Sequence, residues 1–299
     1  GLIMEYIEAK RVLAVGESEW FGCDYNANLY RGCSHGCIYC DSRSDCYAIK
    51  RFDTVRAKRN VLAILEEELC KKRKKGIVGL GAMSDSYNPC EKEAELTRGA
   101  LKLFDKYGFG VSLETKSDLI LRDTDILLSI ASHSPVNIKF SVTTPYDDLA
   151  KKLEPKTCSV KRRFAALEEL SRAGIFTGVL MTPVLPFLED DSASVLSIAD
   201  KAAEAGCKFV YFGYAFGVTL RDSQRVHFLD KAEKLFPGMK QKYCDAFGND
   251  YMCISPNNEA LVAAITDKCR KLGLKYTMQD IVAENKRPYE VQQISLFDF

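Results

Sequence analysis

Between about residue 55 and residue 215, short apolar segments alternate with segments of helical periodicity. Buried-strand patterns occur at residues 77–83, 109–115, 136–143, 175–182 and 209–212. Helical patterns lie between them, at residues 91–107, 123–133, 160–173 and 192–205. Apolar strands that are separated by helices indicate a parallel sheet with helices packed on its faces. Counting one strand ahead of Cys33, we predict six βα units.

Six βα units fit either an open partial barrel or a doubly wound sheet. Both architectures place their chemistry at the carboxyl ends of the strands. We divide the chain into four parts, namely an N-terminal extension (1–20), the βα region (21–220), a helical C-terminal cap (221–283) and a tail (284–299). With 299 residues, of which 46% are hydrophobic, the chain can bury a substantial core.

The charge and hydropathy of the chain limit the classes of partner that it can have. Forty-two basic and 41 acidic residues give a net charge of +1, so any affinity for nucleic acid must come from a local patch. The apolar stretches are far shorter than the roughly 20 residues of a membrane helix, and no secretory pattern opens the sequence. We therefore expect a cytoplasmic protein without a membrane partner.

Three of the twelve cysteines, Cys33, Cys37 and Cys40, form a C-x3-C-x2-C motif that can converge on one soft metal centre. Gly32 and Gly36 allow the loop to bend sharply around it. An iron–sulfur cubane held by three cysteines leaves one iron open to another ligand. A structural zinc site would need a fourth ligand, and either of two nearby residues could supply it, Cys46 or His35.

The cysteine motif, with an aromatic residue before its last cysteine, resembles the radical S-adenosylmethionine (radical SAM) superfamily. Within it, the sequence resembles the spore photoproduct lyase-like branch, also described as DNA repair photolyase-like, over roughly residues 20 to 220. The branch motifs are Asn28-Leu29-Tyr30-Arg31-Gly32-Cys33, Leu153-Glu154-Pro155 with Arg163, and Ala173-Gly174-Ile175 with Pro183 and Pro186. The resemblance implies a partial (β/α)6 TIM-like barrel with a helical C-terminal extension.

The resemblance also implies two cofactors, a [4Fe–4S] cluster on Cys33, Cys37 and Cys40, and S-adenosylmethionine on the open iron. In this superfamily an external electron donor reduces the cluster, and the cleavage of a C–S bond yields methionine and a 5′-deoxyadenosyl radical. That radical abstracts a hydrogen atom from the substrate. The protein supplies position and shelter for this chemistry.

Further residues match positions that contact S-adenosylmethionine in the superfamily. The resemblance assigns Ser84 and Asp85 to the methionine ammonium, Lys116 to its carboxylate and Ser141 to the ribose hydroxyls. Each has a structural alternative, such as a helix cap, a solvated loop or an internal hydrogen bond. Two more candidates complete the set, Tyr39 beside the adenine, where a core tyrosine would look the same, and the pair Glu154 and Arg163, which could hold the cofactor or each other.

One position departs from the branch. Spore photoproduct lyases carry a cysteine hydrogen donor just before the Ser-Asp pair, and here that place holds Met83. A thioether cannot donate a hydrogen atom as a thiol does, which leaves the usual lyase reaction in doubt. Cys90 is the nearest thiol and could replace the donor, although a helix-start or packing residue is the better interpretation of it. Tyr87 could relay a radical. Buried free thiols are the better interpretation of three later cysteines, Cys244, Cys253 and Cys269.

Two features suggest partners. Basic residues cluster at 71–75 and at 151–163, and the second cluster is the better candidate for a nucleic-acid phosphate surface. The tail segment Gln293-Ile294-Ser295-Leu296-Phe297 resembles the peptide that binds the bacterial sliding clamp, with Gln293, Leu296 and Phe297 as its anchors. The alternative is that the apolar tail folds back onto the barrel.

Three functions remain open at this point. The first is a radical SAM enzyme that acts on a DNA lesion or nucleic-acid base. The second keeps the radical chemistry but acts on a peptide or small metabolite. The third, of a different class, is a non-catalytic, metal-stabilised module that docks on a sliding clamp, and it predicts zinc instead of iron.

Overall fold

The structure, a computed structural model, describes residues 4–16 and 19–295, the last five of these by their backbone alone. Strands in the described residues are β1 (Glu5–Ile7), β2 (Leu13–Val15), β3 (Tyr25–Ala27), β4 (Tyr30–Arg31), β5 (Arg56–Lys58), β6 (Ile77–Leu80), β7 (Gly110–Thr115), β8 (Val136–Ser141), β9 (Phe176–Leu180), β10 (Phe209–Tyr211), β11 (Gly217–Thr219) and β12 (Met252–Ile254). The α-helices are α1 (Val61–Cys70), α2 (Glu91–Ala94), α3 (Leu96–Tyr107), α4 (Thr124–Ala131), α5 (Asp147–Leu153), α6 (Val160–Arg172), α7 (Ser192–Glu204), α8 (Asp222–Leu235), α9 (Met239–Phe247), α10 (Asn258–Leu272) and α11 (Met278–Ser295).

A seven-stranded sheet forms the centre of the fold, in the order β10-β9-β8-β7-β6-β3-β2. Six of its strands, β3 and β6 to β10, are parallel, and only β2 at the edge is antiparallel. The predicted α/β fold, a partial (β/α)6 barrel with helices at its C-terminus, is therefore confirmed. The strand expected ahead of Cys33 is β3, which pairs in parallel with β6.

The predicted elements match the observed ones apart from their ends and one break. The helix expected over residues 91–107 is interrupted at Glu95, whose φ of 48° is incompatible with a continuous α-helix and separates α2 from α3. Helix α5 and the two small sheets, β1-β5-β4 and β11-β12, were not expected. These elements have only two or three residues per strand or two helical turns, too short to give a periodic pattern.

Alternate residues of the central strands face the two sides of the sheet. Val111 and Leu113 of β7, with Ile138 and Phe140 of β8, belong to the main hydrophobic core that the surrounding helices cover. Each fully buried side chain of this kind contributes about 1.5–3 kcal/mol. The residues between them, including Glu114, face the interior of the barrel and include polar and charged groups.

Two further apolar clusters close the barrel. Phe21, Phe209 and Ile281 pack together inside it, so that the start of α11 covers one end. At the other side, α8 and α9 pack their apolar residues against the cysteine loop, where Ile38 and Tyr39 belong to the same cluster. The C-terminal helices α8 and α9 therefore support the cysteine loop. No helix in the described part of the chain is long and apolar enough to cross a membrane.

Gly81, directly after β6, allows a close approach between neighbouring strands. Its φ is +99°, and an added Cβ would lie 2.1 Å from the carbonyl oxygen of Glu114 on β7. We expect Gly81→Ala to lower the free energy of unfolding by roughly 2 kcal/mol or more, because both the backbone angle and the strand contact oppose it.

Urea denaturation of the wild type and two variants measures this effect. Gly108→Ala is the matched control, since Gly108 also has a positive φ of +73° but its Cβ would meet open space. Its loss should be only about 1 kcal/mol. Equal losses in the two variants would show that the approach of Gly81 to β7 imposes no constraint.

Candidate active site

The three cysteines of the motif lie on the wall of a cavity of about 550 Å³ at the carboxyl ends of the parallel strands. Cys33 and Cys37 are buried and Cys40 is partly buried. Backbone hydrogen bonds from Cys33 N to Phe52 O (2.9 Å) and from Ile38 N to Leu153 O (3.0 Å) hold the loop in place. The structure thus brings together the thiols that the spacing predicted.

The arrangement of these thiols suits a cluster. No three His, Cys, Asp or Glu side chains in the described ranges converge closely enough to share a single metal ion. A cubane places each cysteine on a different iron, so its thiolates need not meet at one ion. Burial raises the pKa of all three thiols, that of Cys33 to about 11. They therefore stay protonated until a cationic centre displaces the protons.

Asp85, in the loop after β6, connects the cysteine loop to the end of β7. Its carboxylate accepts hydrogen bonds from Thr115 Oγ1 (2.7 Å) and from the backbone N–H of Lys116 (2.8 Å), and it lies 3.4 Å from His35 Nδ1. Burial lowers the pKa of His35, more than the nearby Asp85 raises it. Asp85 also lines the cavity, where the resemblance predicts a contact with the cofactor. Its observed contacts hold the cysteine loop against the end of β7.

Lys116, at the end of β7, supplies positive charge to the same wall. Its Nζ lies 5.9 Å from the centroid of the Tyr39 ring. Burial favours the neutral amine, but the negative charge that Cys37 carries as a thiolate and the charge of the Glu154 carboxylate outweigh it and raise the pKa of Lys116. A permanently charged ammonium on a cavity wall can bind a carboxylate or another anion.

Glu154 and Arg163 form a buried ion pair, with 2.6 Å between Oε2 and Nη2. Neither lines the cavity, and the Tyr39 hydroxyl donates to Glu154 from the cavity side. Arg163 also donates to the backbone carbonyl of Ser141 (2.9 Å). Arg163 and Lys116 lower the pKa of Glu154 against the effect of its burial. The pair therefore holds Tyr39 and the end of β8 in position, which is the structural alternative weighed for it.

The other predicted residues divide into two groups. Ser141 lines the cavity, as does Met83, the residue in the place of the donor cysteine. Ser84 is buried beside the cavity with no hydrogen-bond partner for its Oγ among the described residues. The structure does not bring the candidate donor Cys90 or the candidate relay Tyr87 to the cavity, because the Tyr87 hydroxyl donates to Asp123 (2.8 Å) and Cys90 packs in the main core.

The remaining sequence candidates lie outside the cavity. Of the three later cysteines, Cys253 and Cys269 are buried as predicted, but the prediction is wrong for Cys244, which is exposed on α9. None of the three contributes to a metal-binding group in the described part of the chain. In the second basic cluster, Arg163 is buried in its ion pair whereas its neighbours are exposed. Leu296 and Phe297 lie outside the described residues, as does the side chain of Gln293.

Sequence reasoning missed the residues at the mouth of the cavity. Tyr214 follows β10, lines the cavity and is 95% exposed. Tyr251 and Met252 are also exposed apolar residues, and the Arg221 guanidinium lies 5.5 Å from the ring centroids of both Tyr47 and Tyr251. The sequence could have indicated Tyr214 as a site residue, because it follows the sixth predicted strand, and barrels carry their functional loops after their strands.

Comparison with known proteins identifies related sequences. The Radical SAM superfamily profile matches residues 27–197. An uncharacterised protein of Mycobacterium tuberculosis is 30% identical over 230 residues, which cover 75% of this chain and 67% of that protein. An uncharacterised protein of Methanocaldococcus jannaschii is 32% identical over 190 residues, which cover 62% of this chain and 70% of that protein.

Solved structures show the same fold. A spore photoproduct lyase in complex with dinucleoside spore photoproduct superposes with a TM-score of 0.66 at 14% identity, over 91% of this chain and 81% of that one. A variant of that lyase with bound AdoMet and dinucleoside spore photoproduct superposes with a TM-score of 0.67, also at 14% identity, over 92% and 81% of the two chains. At this identity the likeness establishes the architecture alone.

The buried ion pair behind the site gives a stability prediction. Arg163→Met leaves the Glu154 carboxylate buried without its partner, so we expect a loss of about 3–5 kcal/mol in the free energy of unfolding. Arg162→Met is the matched control, because Arg162 is exposed and pairs with Asp118 at the surface. Its loss should stay below about 1 kcal/mol. Urea denaturation measures both, and similar losses would contradict a bracing role for Arg163.

Proposed function

We propose that this chain, which belongs to the radical SAM superfamily of enzymes, applies radical chemistry to a nucleic-acid base or lesion. Its cofactors are those of the superfamily, a [4Fe–4S] cluster and S-adenosylmethionine. The observation that carries the proposal is the cavity, which combines three thiols of one loop with a lysine ammonium and polar strand ends on the same wall.

The residues present fit both cofactors. Cys33, Cys37 and Cys40 would hold three irons of the cluster and leave the fourth iron free. Lys116 offers a cation to the methionine carboxylate, and the hydroxyl of Ser141 offers a partner to the ribose. Asp85 would face the methionine ammonium, although its oxygens already accept hydrogen bonds from the protein.

When bound, a reduced cluster would supply the one electron needed for reductive cleavage of S-adenosylmethionine to methionine and a 5′-deoxyadenosyl radical. In this chemistry the protein positions the reactants and excludes water from the cavity. Apolar wall residues such as Leu180 and Val218 reduce the water near the reacting atoms. Tyr39, fixed by its hydrogen bond to Glu154, keeps one wall rigid. Met83 supplies no hydrogen atom to a product radical, so the proposal does not extend to a thiol-dependent lyase reaction.

Anaerobic reconstitution with iron and sulfide, followed by reduction, tests the cofactor chemistry. We expect the wild type to convert S-adenosylmethionine into 5′-deoxyadenosine, and Cys37→Ala to lose at least about 99% of this product, because one iron loses its ligand. Cys46→Ala is the matched control, since Cys46 is an exposed neighbour outside the cavity. It should retain full activity.

Two outcomes of this experiment would count against the proposal. Product formation that is unchanged in Cys37→Ala would remove the cysteine loop from the chemistry. Zinc instead of iron in protein isolated from cells, together with intact S-adenosylmethionine, would favour the docking module.

A nucleic-acid substrate is supported by the mouth of the cavity. Tyr214 and Tyr251 present exposed rings, and the Arg221 guanidinium lies beside Tyr251. Exposed aromatic rings stack on bases, while a guanidinium contacts phosphate. The likeness in fold to a lyase solved with a dinucleoside lesion agrees with this assignment. A peptide or small metabolite would have less use for this exposed aromatic rim.

Binding to short DNA duplexes tests the substrate class. We expect affinity that falls steeply with salt concentration, and a roughly tenfold loss for Tyr214→Ala, because base stacking on one ring contributes about 1–3 kcal/mol. Tyr146→Ala is the matched control, as Tyr146 is a tyrosine that is 55% exposed and does not line the cavity. If both variants bind DNA like the wild type, the second hypothesis of a peptide or metabolite substrate gains support.

We also propose that the tail binds a sliding clamp through Gln293, Leu296 and Phe297. The sequence motif supports this. A synthetic peptide of residues 288–299 should compete with the full chain for purified bacterial clamp. Binding that survives the double substitution Leu296→Ala, Phe297→Ala would contradict the assignment.

A further inference from the structure

A second polar layer lies inside the barrel beneath the residues assigned to S-adenosylmethionine. The register of β7 and β8 places Glu114 beside Lys139 and Ser112 beside Asn137. Lys116 and Ser141, two residues further along the same strands, occupy the layer above. The polar groups of this second layer have no part in the cofactor assignment.

Glu114 is the member of this layer that reaches the cavity. It lines both the main cavity and a smaller, water-sized pocket below it. Its Oε2 is buried and has no hydrogen-bond partner among the described residues. A buried carboxylate oxygen without a donor costs about 1–3 kcal/mol or more. Because burial raises the pKa of Glu114, a donor that satisfies this group would be strongly favoured.

Lys139 lies beside Glu114 on the neighbouring strand β8. Its Nζ donates to Ser112 Oγ (2.7 Å) and lies 4.1 Å from the centroid of the Phe21 ring. The ammonium is buried inside the barrel, on the wall of the small pocket but not of the main cavity. Lys139 thus partly compensates the charge of Glu114 without competing for the side of Glu114 that faces the cavity. We regard it as a positioning residue.

Trp20 provides an aromatic wall beside this carboxylate. It also lines both the main cavity and the small pocket. Edge contacts with Phe21 and Tyr211, at 5.0 and 5.8 Å between ring centroids, hold the indole in place. An aromatic wall and an unsatisfied hydrogen-bond acceptor in one cavity match a planar ring that carries an N–H donor.

We infer that Glu114 and Trp20 form a floor subsite that recognises a nucleobase through a ring N–H. Glu114 accepts the hydrogen bond from the base, and Trp20 contacts its apolar surface. The inference rests on the proposed function, because it assigns the substrate side of the same cavity. It makes Glu114 a specificity residue, since a base that presents its ring N–H here satisfies the carboxylate, and the same base with that nitrogen methylated does not.

Matched nucleosides test this assignment in cluster-loaded, oxidised protein that is saturated with S-adenosylmethionine. The probes are thymidine with N3-methylthymidine and guanosine with N1-methylguanosine, in which a methyl group replaces the ring N–H. Trp20 is the only tryptophan of the chain, so quenching of its fluorescence reports occupancy of the floor. Equilibrium dialysis gives the affinities independently.

In the wild type, we expect methylation to weaken the binding of at least one nucleoside by about tenfold or more, because a hydrogen bond to a charged group is lost. In Glu114→Gln, which keeps the shape of the side chain, the same methylation should cost less than about threefold. Glu259→Gln, a substitution of an exposed carboxylate on α10, should behave like the wild type. Circular dichroism and thermal unfolding show whether each variant is folded.

Three results would overturn the assignment. The first is a methylation penalty that is equal in the wild type and Glu114→Gln. The second is an absence of quenching by all four probes. The third is a loss of S-adenosylmethionine affinity in Glu114→Gln that matches its loss of nucleoside affinity, which would place the carboxylate on the cofactor.

Failure of this inference is distinguishable from failure of the proposed function. Wild-type protein that makes no 5′-deoxyadenosine would refute the proposed radical chemistry. Cleavage of S-adenosylmethionine by the wild type, combined with equal methylation penalties, would refute the floor subsite alone.

Discussion

Parallel strands that all end at one edge of the sheet are the constraint on which the site depends. Because β6 to β10 run in the same direction, residues at or just after their carboxyl ends converge on a single cavity. The register between β7 and β8 then sets the height of each side chain in that cavity. Lys116 and Ser141 come to one level, and Glu114 and Lys139 to the level below. The chemistry of the site is therefore sorted by strand position.

Several charged side chains are buried around the cavity, and most of them form an ion pair or hydrogen bonds with other protein groups. Glu154 and Arg163 neutralise each other behind the wall, and their remaining hydrogen bonds hold Tyr39 and the end of β8. Asp85 accepts two hydrogen bonds from the end of β7 and lies beside the cysteine loop. Lys116 and Glu114 differ from these groups, because the cavity provides part of their surroundings. A charged group that faces a cavity, where a bound ligand can neutralise it, is expected at a functional site.

Much of this architecture could be predicted from the sequence, since the signals are local. Short apolar segments alternate with helical ones along the chain, and the cysteine spacing is compact, so a helix-covered parallel sheet and the cysteine loop could be predicted directly. The choice of a partial barrel came from the family resemblance. Lys116 was located because it ends a predicted strand. The family resemblance contributed the expected cofactors and the positions of the residues around them.

The rest depends on contacts between distant residues. Glu154 and Arg163 fit a cofactor role by pattern, but only the three-dimensional structure shows that they pair with each other behind Tyr39. Tyr87 and Cys90 follow the correct strand, yet the partner of Tyr87 is Asp123, 36 residues away, which turns the segment from the cavity. Lys139 within an apolar strand was a visible anomaly whose partner on β7 becomes clear only from the strand register. The mouth around Tyr214 depends on the pairing of β11 with β12.

Electron paramagnetic resonance of the reduced, reconstituted protein, before and after addition of S-adenosylmethionine, tests the central claim most directly. Three cysteines on four irons leave one iron able to accept the amino and carboxylate groups of the cofactor. The account therefore predicts the signal of a reduced [4Fe–4S] cluster whose g values shift when S-adenosylmethionine is added. A cluster signal that S-adenosylmethionine leaves unchanged, or protein that binds zinc and shows no cluster signal, would contradict it.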